Sequence, residues 1–75
     1  MRKKEIPESV KIVGNNIKSI IDEKNLKVRH VAHDADLDIE ALRRYIAGKQ
    51  IMGIDKSIRI AKALNVEISM LYKGV

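Results

Sequence analysis

Residues 26–49, LKVRHVAHDADLDIEALRRYIAGK, contain two short helical patterns separated by a tight turn. The first helix of this unit is predicted over residues 28–35. It has a face of small apolar side chains, formed by Val31, Ala32 and Ala35, that allows another helix to approach closely. Asp36 lies where the chain must turn, because aspartate adopts left-handed backbone more readily than most residues. Such a unit packs one helix against another, so that the second projects from the surface.

The second helix of this unit is predicted over residues 39–47. Asp38 suits its N-cap, because a short side-chain oxygen there can accept a hydrogen bond from a free backbone N–H. Gly48 ends it, because glycine adopts left-handed backbone without strain. Three side chains are expected to face inward: Leu42, Tyr45 and Ile46.

Three further helices are predicted around this unit, over residues 10–25, 54–64 and 67–72. Apolar residues recur in each at spacings of three and four, and no strand-like alternation persists anywhere. Asn25 and Asn65 are expected to end the first and fourth helices. The inward positions are Val13, Ile17, Ile20 and Ile21, then Ile54, Ile58, Ala61 and Leu64, then Ile68 and Leu71. The fold class is therefore all-α, with five helices in one compact domain.

Composition narrows the classes of protein that this chain could be. The chain has 75 residues and no cysteine, so helix packing must stabilise it without a disulfide or a zinc finger. Its formal net charge is +5, which favours association with polyanions such as nucleic acid. It has neither a transmembrane stretch nor a signal peptide, and we expect a cytoplasmic protein without a membrane partner.

The helix order and spacing resemble the lambda-repressor-like helix-turn-helix family, also called the Cro or XRE type. The resemblance covers about residues 10–72 and includes both the helix-turn-helix unit and the fourth-helix pattern IAKALNV, where Gly often replaces Asn65. The matching positions are Leu26, Val31, Ala32, Leu37, Leu42, Gly48, Lys49, residues 60–66, Ile68 and Leu71. The resemblance implies a DNA-binding regulator.

In that family the third helix enters the major groove of DNA with its first residues toward the base edges. Carried over by position, the base-facing candidates are Asp38, Ile39, Glu40, Arg43 and Arg44, and Val28, which replaces a glutamine common at the start of the second helix. The phosphate-contact candidates are Lys27, Arg29, Lys49 and Gln50.

Four acidic residues near the expected DNA surface depart from the family pattern: Asp34, Asp36, Asp38 and Glu40. Many relatives carry Ser, Thr, Gln or Arg at the start of the third helix, and Gly at the turn. A carboxylate near phosphates is repelled, yet it can accept a hydrogen bond from cytosine N4. Asp38 also has a structural interpretation as an N-cap. Glu40 and Ile39 could contact base edges, while Arg43 or Arg44 could form a bidentate hydrogen bond to guanine.

The sequence predicts a flexible basic arm over residues 1–9, the helix-turn-helix domain over residues 10–72 and a short tail over residues 73–75. The arm contains Arg2, Lys3 and Lys4, which could follow the DNA backbone or minor groove, or could simply be a solubilising tail. His30 and His33 stand three residues apart near acids, but one helical turn supplies too few ligands for a structural zinc site. No metal or other cofactor is expected.

Apolar residues in exposed-looking positions raise the question of a homodimer. Ile51 and Met52 lie in a loop where relatives often carry polar residues or proline, and Met70 and Tyr72 lie near the C-terminus. They either form a dimer interface through the C-terminal region or complete a small core. A two-fold dimer would place two recognition helices about one DNA turn apart.

The function that these observations predict is sequence-specific binding of double-stranded DNA by a transcriptional regulator, with repression favoured by the family resemblance. The alternative is a protein-interaction module, or an antitoxin component, on the same fold with weak or no DNA binding. The sequence contains no arrangement of residues typical of catalysis, so an enzyme is not expected.

Overall fold

The computed structural model describes residues 6–75, and residues 1–5, which include most of the predicted basic arm, lie outside that range. Four α-helices follow one another: α1 (Glu8–Glu23), α2 (Val28–Asp34), α3 (Ile39–Ile46) and α4 (Ile54–Leu64). Within the described residues there is no strand, so the all-α class is confirmed. The helix α1 begins two residues earlier than expected, with Pro7 at its N-cap.

The prediction of five α-helices was wrong. The C-terminal segment contains a three-residue 3-10 helix, Ile68–Met70, instead of an α-helix over residues 67–72. Its hydrogen bonds join residues three apart, as in Leu71 N–H to the carbonyl of Ile68 at 3.0 Å. A segment this short makes few bonds in either helical form, and packing decides its geometry. Leu71 is fully buried, as expected.

All four α-helices end in the same way. At the end of α2, the N–H of Leu37 bonds to the carbonyl of Ala32 at 2.8 Å, and the N–H of Asp36 bonds to that of His33 at 3.1 Å. This pair of bonds is a Schellman motif, which requires a left-handed residue. The left-handed residues are Asn25, Asp36, Gly48 and Asn65, with φ between 57° and 70°. Each helix end predicted from these residue types is confirmed.

The first and third helices cross in direct backbone contact at Gly14. A Cβ at residue 14 would clash with the carbonyl oxygen of Tyr45 and would lie 2.6 Å from that of Ile46. Any side chain would force the helices apart. The glycine that interrupts the apolar pattern of α1 therefore sets how closely α3 is held.

The core lies between α1 and the remaining helices. Five large side chains are almost completely removed from solvent: Ile17, Leu42, Ile60, Leu64 and Leu71. The small face of α2 is also buried, with Val31, Ala32 and Ala35 each 2% exposed. These small residues let α2 pack against both α3 and α4.

The prediction for the buried face of α4 was partly wrong. Ile54 and Ile58 are 66% and 40% exposed, whereas Ile60 and Ser57 are fully buried. The apolar residues of this helix form two overlapping stripes, and periodicity alone cannot choose between them. Ser57 is tolerated inside because its hydroxyl donates a 2.8 Å hydrogen bond to the carbonyl of Ile54.

Candidate nucleic-acid interface

The turn between α2 and α3 presents α3 at the surface. Residues 35–38 connect the two helices, and Leu37 packs partly buried against the core beneath them. An arginine on α4 also holds this turn: Nη1 of Arg59 donates a 3.3 Å hydrogen bond to the carbonyl oxygen of Asp36. Its Nη2 lies 3.1 Å from the carboxylate of Asp55. The turn is therefore tied to the helix behind it.

Four exposed residues form the outward face of α3. Glu40, Arg43, Arg44 and Ala47 follow the spacing i, i+3, i+4 and i+7, so they share one side of the helix. Leu42 and Tyr45 are buried on the opposite side. We refer to Glu40, Arg43, Arg44 and Ala47 as the α3 face.

The other base-facing candidates lie beside this face. Asp38 is exposed at the N-cap of α3, and its side chain makes no capping hydrogen bond. Asp38 therefore occupies the predicted N-cap position, but its carboxylate accepts no hydrogen bond from the first backbone N–H groups of the helix. Ile39 and Val28 are half-buried and pack against the core, which reduces the surface that each offers to a ligand.

The phosphate-contact candidates are exposed in two places. Lys27 and Arg29 flank the start of α2, and Lys49 and Gln50 follow α3. All three cations have their charges at the surface, where long side chains can reach a polyanion. They lie in sequence next to the two elements that form the helix-turn-helix.

In the described part of the chain, only one pair of these predicted site residues is joined by a hydrogen bond between side chains. Nε of Arg44 donates a 2.8 Å hydrogen bond to Oε1 of Gln50. Glu40 stands four residues before Arg44, a spacing that permits a helix ion pair. The ion pairs of residues 6–75, however, are those of Lys18 with Asp22 and of Arg59 with Asp55. Arg44 therefore turns toward Gln50.

Two residues of this region were missed by the sequence reasoning. Ala47 had been placed in α3 without a role, but helical spacing from Glu40 would have put it on the outward face. Arg59 on α4 has no role predicted from the sequence, and it is half-buried against the turn. Its contact crosses 23 residues of sequence, so no local pattern could have identified it.

Neither of two other kinds of site has structural support among the described residues. No group of three or more His, Cys, Asp or Glu side chains gathers in residues 6–75 as a metal site would require. None of the four α-helices has the length and apolar character needed to cross a membrane.

The arrangement of helices is similar to that in solved structures of two regulatory proteins. The restriction-modification controller protein C.AhdI from Aeromonas hydrophila matches with a TM-score of 0.84 and 18% sequence identity, covering 88% of this chain and all of C.AhdI (100%). Two crystal structures of the clp gene regulator ClgR from Corynebacterium glutamicum match with a TM-score of 0.82 and 15% identity. They cover 87% and 89% of this chain, and 84% and 71% of the ClgR chains.

The chain therefore shares the fold of C.AhdI and ClgR. No family model and no curated protein matches the sequence, so the likeness is carried by the structure. At such low sequence identity the likeness establishes the fold. In this arrangement α2 and α3 are joined by the tight turn that the sequence predicts for a helix-turn-helix.

Proposed function

We propose that this protein is a sequence-specific DNA-binding transcriptional regulator that inserts α3 into the major groove. The observation that carries the proposal is the α3 face. On it two arginines lie one helical turn after a glutamate, on the exposed side of the second helix of a helix-turn-helix. Arginine can fork onto guanine O6 and N7, and glutamate can accept from cytosine N4. The three side chains thus form a surface with both donors and an acceptor for base edges.

The exposed cations beside the α3 face supply the sequence-independent part of binding. Lys27, Arg29 and Lys49 would contact phosphates. The net charge of +5 supports association with a polyanion. Occupancy of a promoter would block polymerase, so we propose that the protein acts as a repressor, in the cytoplasm.

A salt series tests this function against the alternative of a protein-interaction module. Affinity for a duplex would be measured by fluorescence anisotropy between low and moderate salt. Three phosphate contacts alone give a log–log slope of about −3, since each contributes about −0.9. The control variant Lys27→Ala/Lys49→Ala should reduce the slope by about 2. The proposal is contradicted if the wild type does not bind the duplex, or binds it with an affinity that does not change with salt. Either result would favour a protein partner, such as the toxin that an antitoxin binds.

We also propose that the protein binds DNA as a homodimer through exposed apolar residues near the C-terminus. Of the predicted interface residues, Ile51 and Met70 are 64% and 42% exposed, while Met52 and Tyr72 pack partly buried against the core. Ile54 and Ile58 on α4 add apolar surface that the sequence reasoning had placed inside. An interface between two copies of the chain would remove the apolar surface of these side chains from water.

Sedimentation velocity tests the homodimer. The wild type should sediment as a dimer at micromolar concentration, and Ile58→Glu should shift it to monomer without unfolding it. Lys62→Glu, one turn later on the exposed side of the same helix, introduces the same residue as a control. A monomeric wild type, with or without a duplex present, would contradict the dimer.

A further inference from the structure

We infer that Gln50 is a positioning residue for Arg44, which it holds with its guanidinium oriented for a base contact. This inference rests on the proposed function, because it assigns Arg44 to a base. It differs from the prediction that Gln50 contacts a phosphate. The observation behind it is the 2.8 Å hydrogen bond from Nε of Arg44 to Oε1 of Gln50.

The main chain brings residue 50 back beside residue 44. Gly48 adopts a φ of 70° after α3, and the N–H of Lys49 bonds to the carbonyl of Arg44 at 3.0 Å. This turn is itself held in place, because a Cβ at residue 48 would lie 3.0 Å from Cα of Lys11 on α1. These backbone contacts bring the main chain that carries Gln50 back beside Arg44.

Gln50 also lies at the edge of a cleft. It lines an apolar cleft of about 190 Å³ together with Val13, Tyr45, Met52 and Tyr72. Tyr45 is buried on α3 itself, one residue after Arg44. Gln50 is thus an exposed residue at the edge of this cleft, with its amide oxygen directed toward the arginine.

The chemistry of the guanidinium explains what this bond does. An arginine has five N–H donors, and its Nε–H is the one that Gln50 engages. The four N–H groups on Nη1 and Nη2 have no partner within residues 6–75 and can form an end-on fork to guanine O6 and N7. Because Gln50 holds one edge of the guanidinium, the Arg44 side chain loses less rotamer freedom when Nη1 and Nη2 bind a guanine.

The bond also keeps Arg44 apart from the neighbouring acid. Glu40 could neutralise Arg44 at the i,i+4 spacing, which would occupy the fork and remove the acceptor that Glu40 offers to cytosine. A neutral glutamine leaves the charge of Arg44 available. The α3 face therefore retains one donor group and one acceptor group side by side.

A first experiment observes the bond in the free protein. The Nε–H resonance of Arg44 would be followed by ¹⁵N-resolved NMR in the wild type and in Gln50→Ala, with the Nε–H of Arg43 as an internal control. We expect the Arg44 signal to be protected from solvent exchange and to lose that protection in Gln50→Ala, while the Arg43 signal is unchanged. An Arg44 signal that exchanges as fast as that of Arg43 in the wild type would overturn the inference.

A second experiment separates positioning from phosphate contact. Affinities for a selected duplex and for its scrambled counterpart would be measured for Gln50→Ala, Arg44→Ala and the double variant. We expect Gln50→Ala to lower the selected-to-scrambled ratio by about 2- to 10-fold, the range for losing one preordered side chain. The salt slope should stay unchanged, and Gln50→Ala should have no further effect in the Arg44→Ala background.

Two results would overturn the positioning role. Equal weakening on both duplexes, additive with Arg44→Ala, would make Gln50 a phosphate contact; an unchanged ratio would leave it without a role in recognition. A wild type that fails to distinguish the selected from the scrambled duplex would instead contradict the proposed function. The NMR result is independent of DNA, so the two failures are distinguishable.

Discussion

The guanidinium of Arg59 on α4 donates a hydrogen bond to the carbonyl oxygen of Asp36, the left-handed residue of the turn between α2 and α3. The two residues are 23 positions apart in sequence, and the bond is 3.3 Å long. Arg59 also pairs with Asp55 on its own helix at 3.1 Å. One side chain therefore connects α4 to the turn that precedes α3.

Removing this connection should loosen the turn. We expect Arg59→Ala to lower the free energy of unfolding by about 0.5–1.5 kcal/mol, the usual range for one hydrogen bond. Arg59→Lys keeps the charge near Asp55 but loses the planar fork, and should recover part of that loss. Urea unfolding measures both, with the exposed Lys62→Ala on the same helix as the control. If Arg59→Ala is no more destabilising than Lys62→Ala, the bond has no structural importance.

The crossing of α1 and α3 should not tolerate a methyl group. Gly14→Ala improves helix propensity by about 1 kcal/mol, yet its Cβ would meet two backbone carbonyls that cannot move independently of α3. We expect net destabilisation of about 1–3 kcal/mol, as for overpacked cores. Thermal unfolding of Gly14→Ala is compared with Gly53→Ala, where an added Cβ meets nothing within 4 Å. Equal stability of the two variants would show that the helices separate without strain.

The C-terminal segment is fastened to α1 by one asparagine. Nδ2 of Asn16 donates to the carbonyls of Leu71 and Lys73, at 2.9 and 2.8 Å. We expect Asn16→Ala to destabilise the protein by about 1–2 kcal/mol and to increase amide exchange in residues 71–75. Asn15→Ala removes the same side chain from an exposed neighbouring position and should change little. Similar exchange in the two variants would contradict this role for Asn16.

Arg43 is expected to read a single base pair. Arg43→Ala should weaken binding to the preferred duplex by roughly 1–3 kcal/mol and relax the preference at one position, as for a bidentate contact to guanine. Binding-site selection with the variant measures both effects, and Arg29→Ala serves as the phosphate-contact control. Uniform weakening across all sequences by Arg43→Ala would make this arginine a phosphate contact instead.

Local chemistry made much of the fold predictable. Asn25, Asp36, Gly48 and Asn65 each end a helix because few residue types adopt left-handed backbone readily, and that preference can be read from sequence. The small face of α2 was equally clear, because Val31, Ala32 and Ala35 recur at helical spacing. The family resemblance then gave the order in which these helices pack.

Long-range contacts set what could not be predicted. The buried stripe of α4 includes Ile60 and Ser57 and leaves Ile54 exposed, a choice that depends on the neighbouring helices. Of the six residues predicted as a fifth helix, only the three of Ile68–Met70 form a 3-10 helix, because the burial of Leu71 dominates such a short segment. In the candidate site, the exposed position of Glu40 followed from spacing, whereas the bond between Arg44 and Gln50 depends on the turn at Gly48.

Selection of bound sequences from a pool of random duplex DNA tests the central claim most directly. If the α3 face reads base edges, the wild type should enrich one defined site, and Glu40→Ala should change the preferred base at one position of it. Guanine should occur where Arg43 and Arg44 reach the bases. Recovery of unenriched sequences, despite salt-dependent binding to the pool, would contradict sequence-specific recognition by this helix.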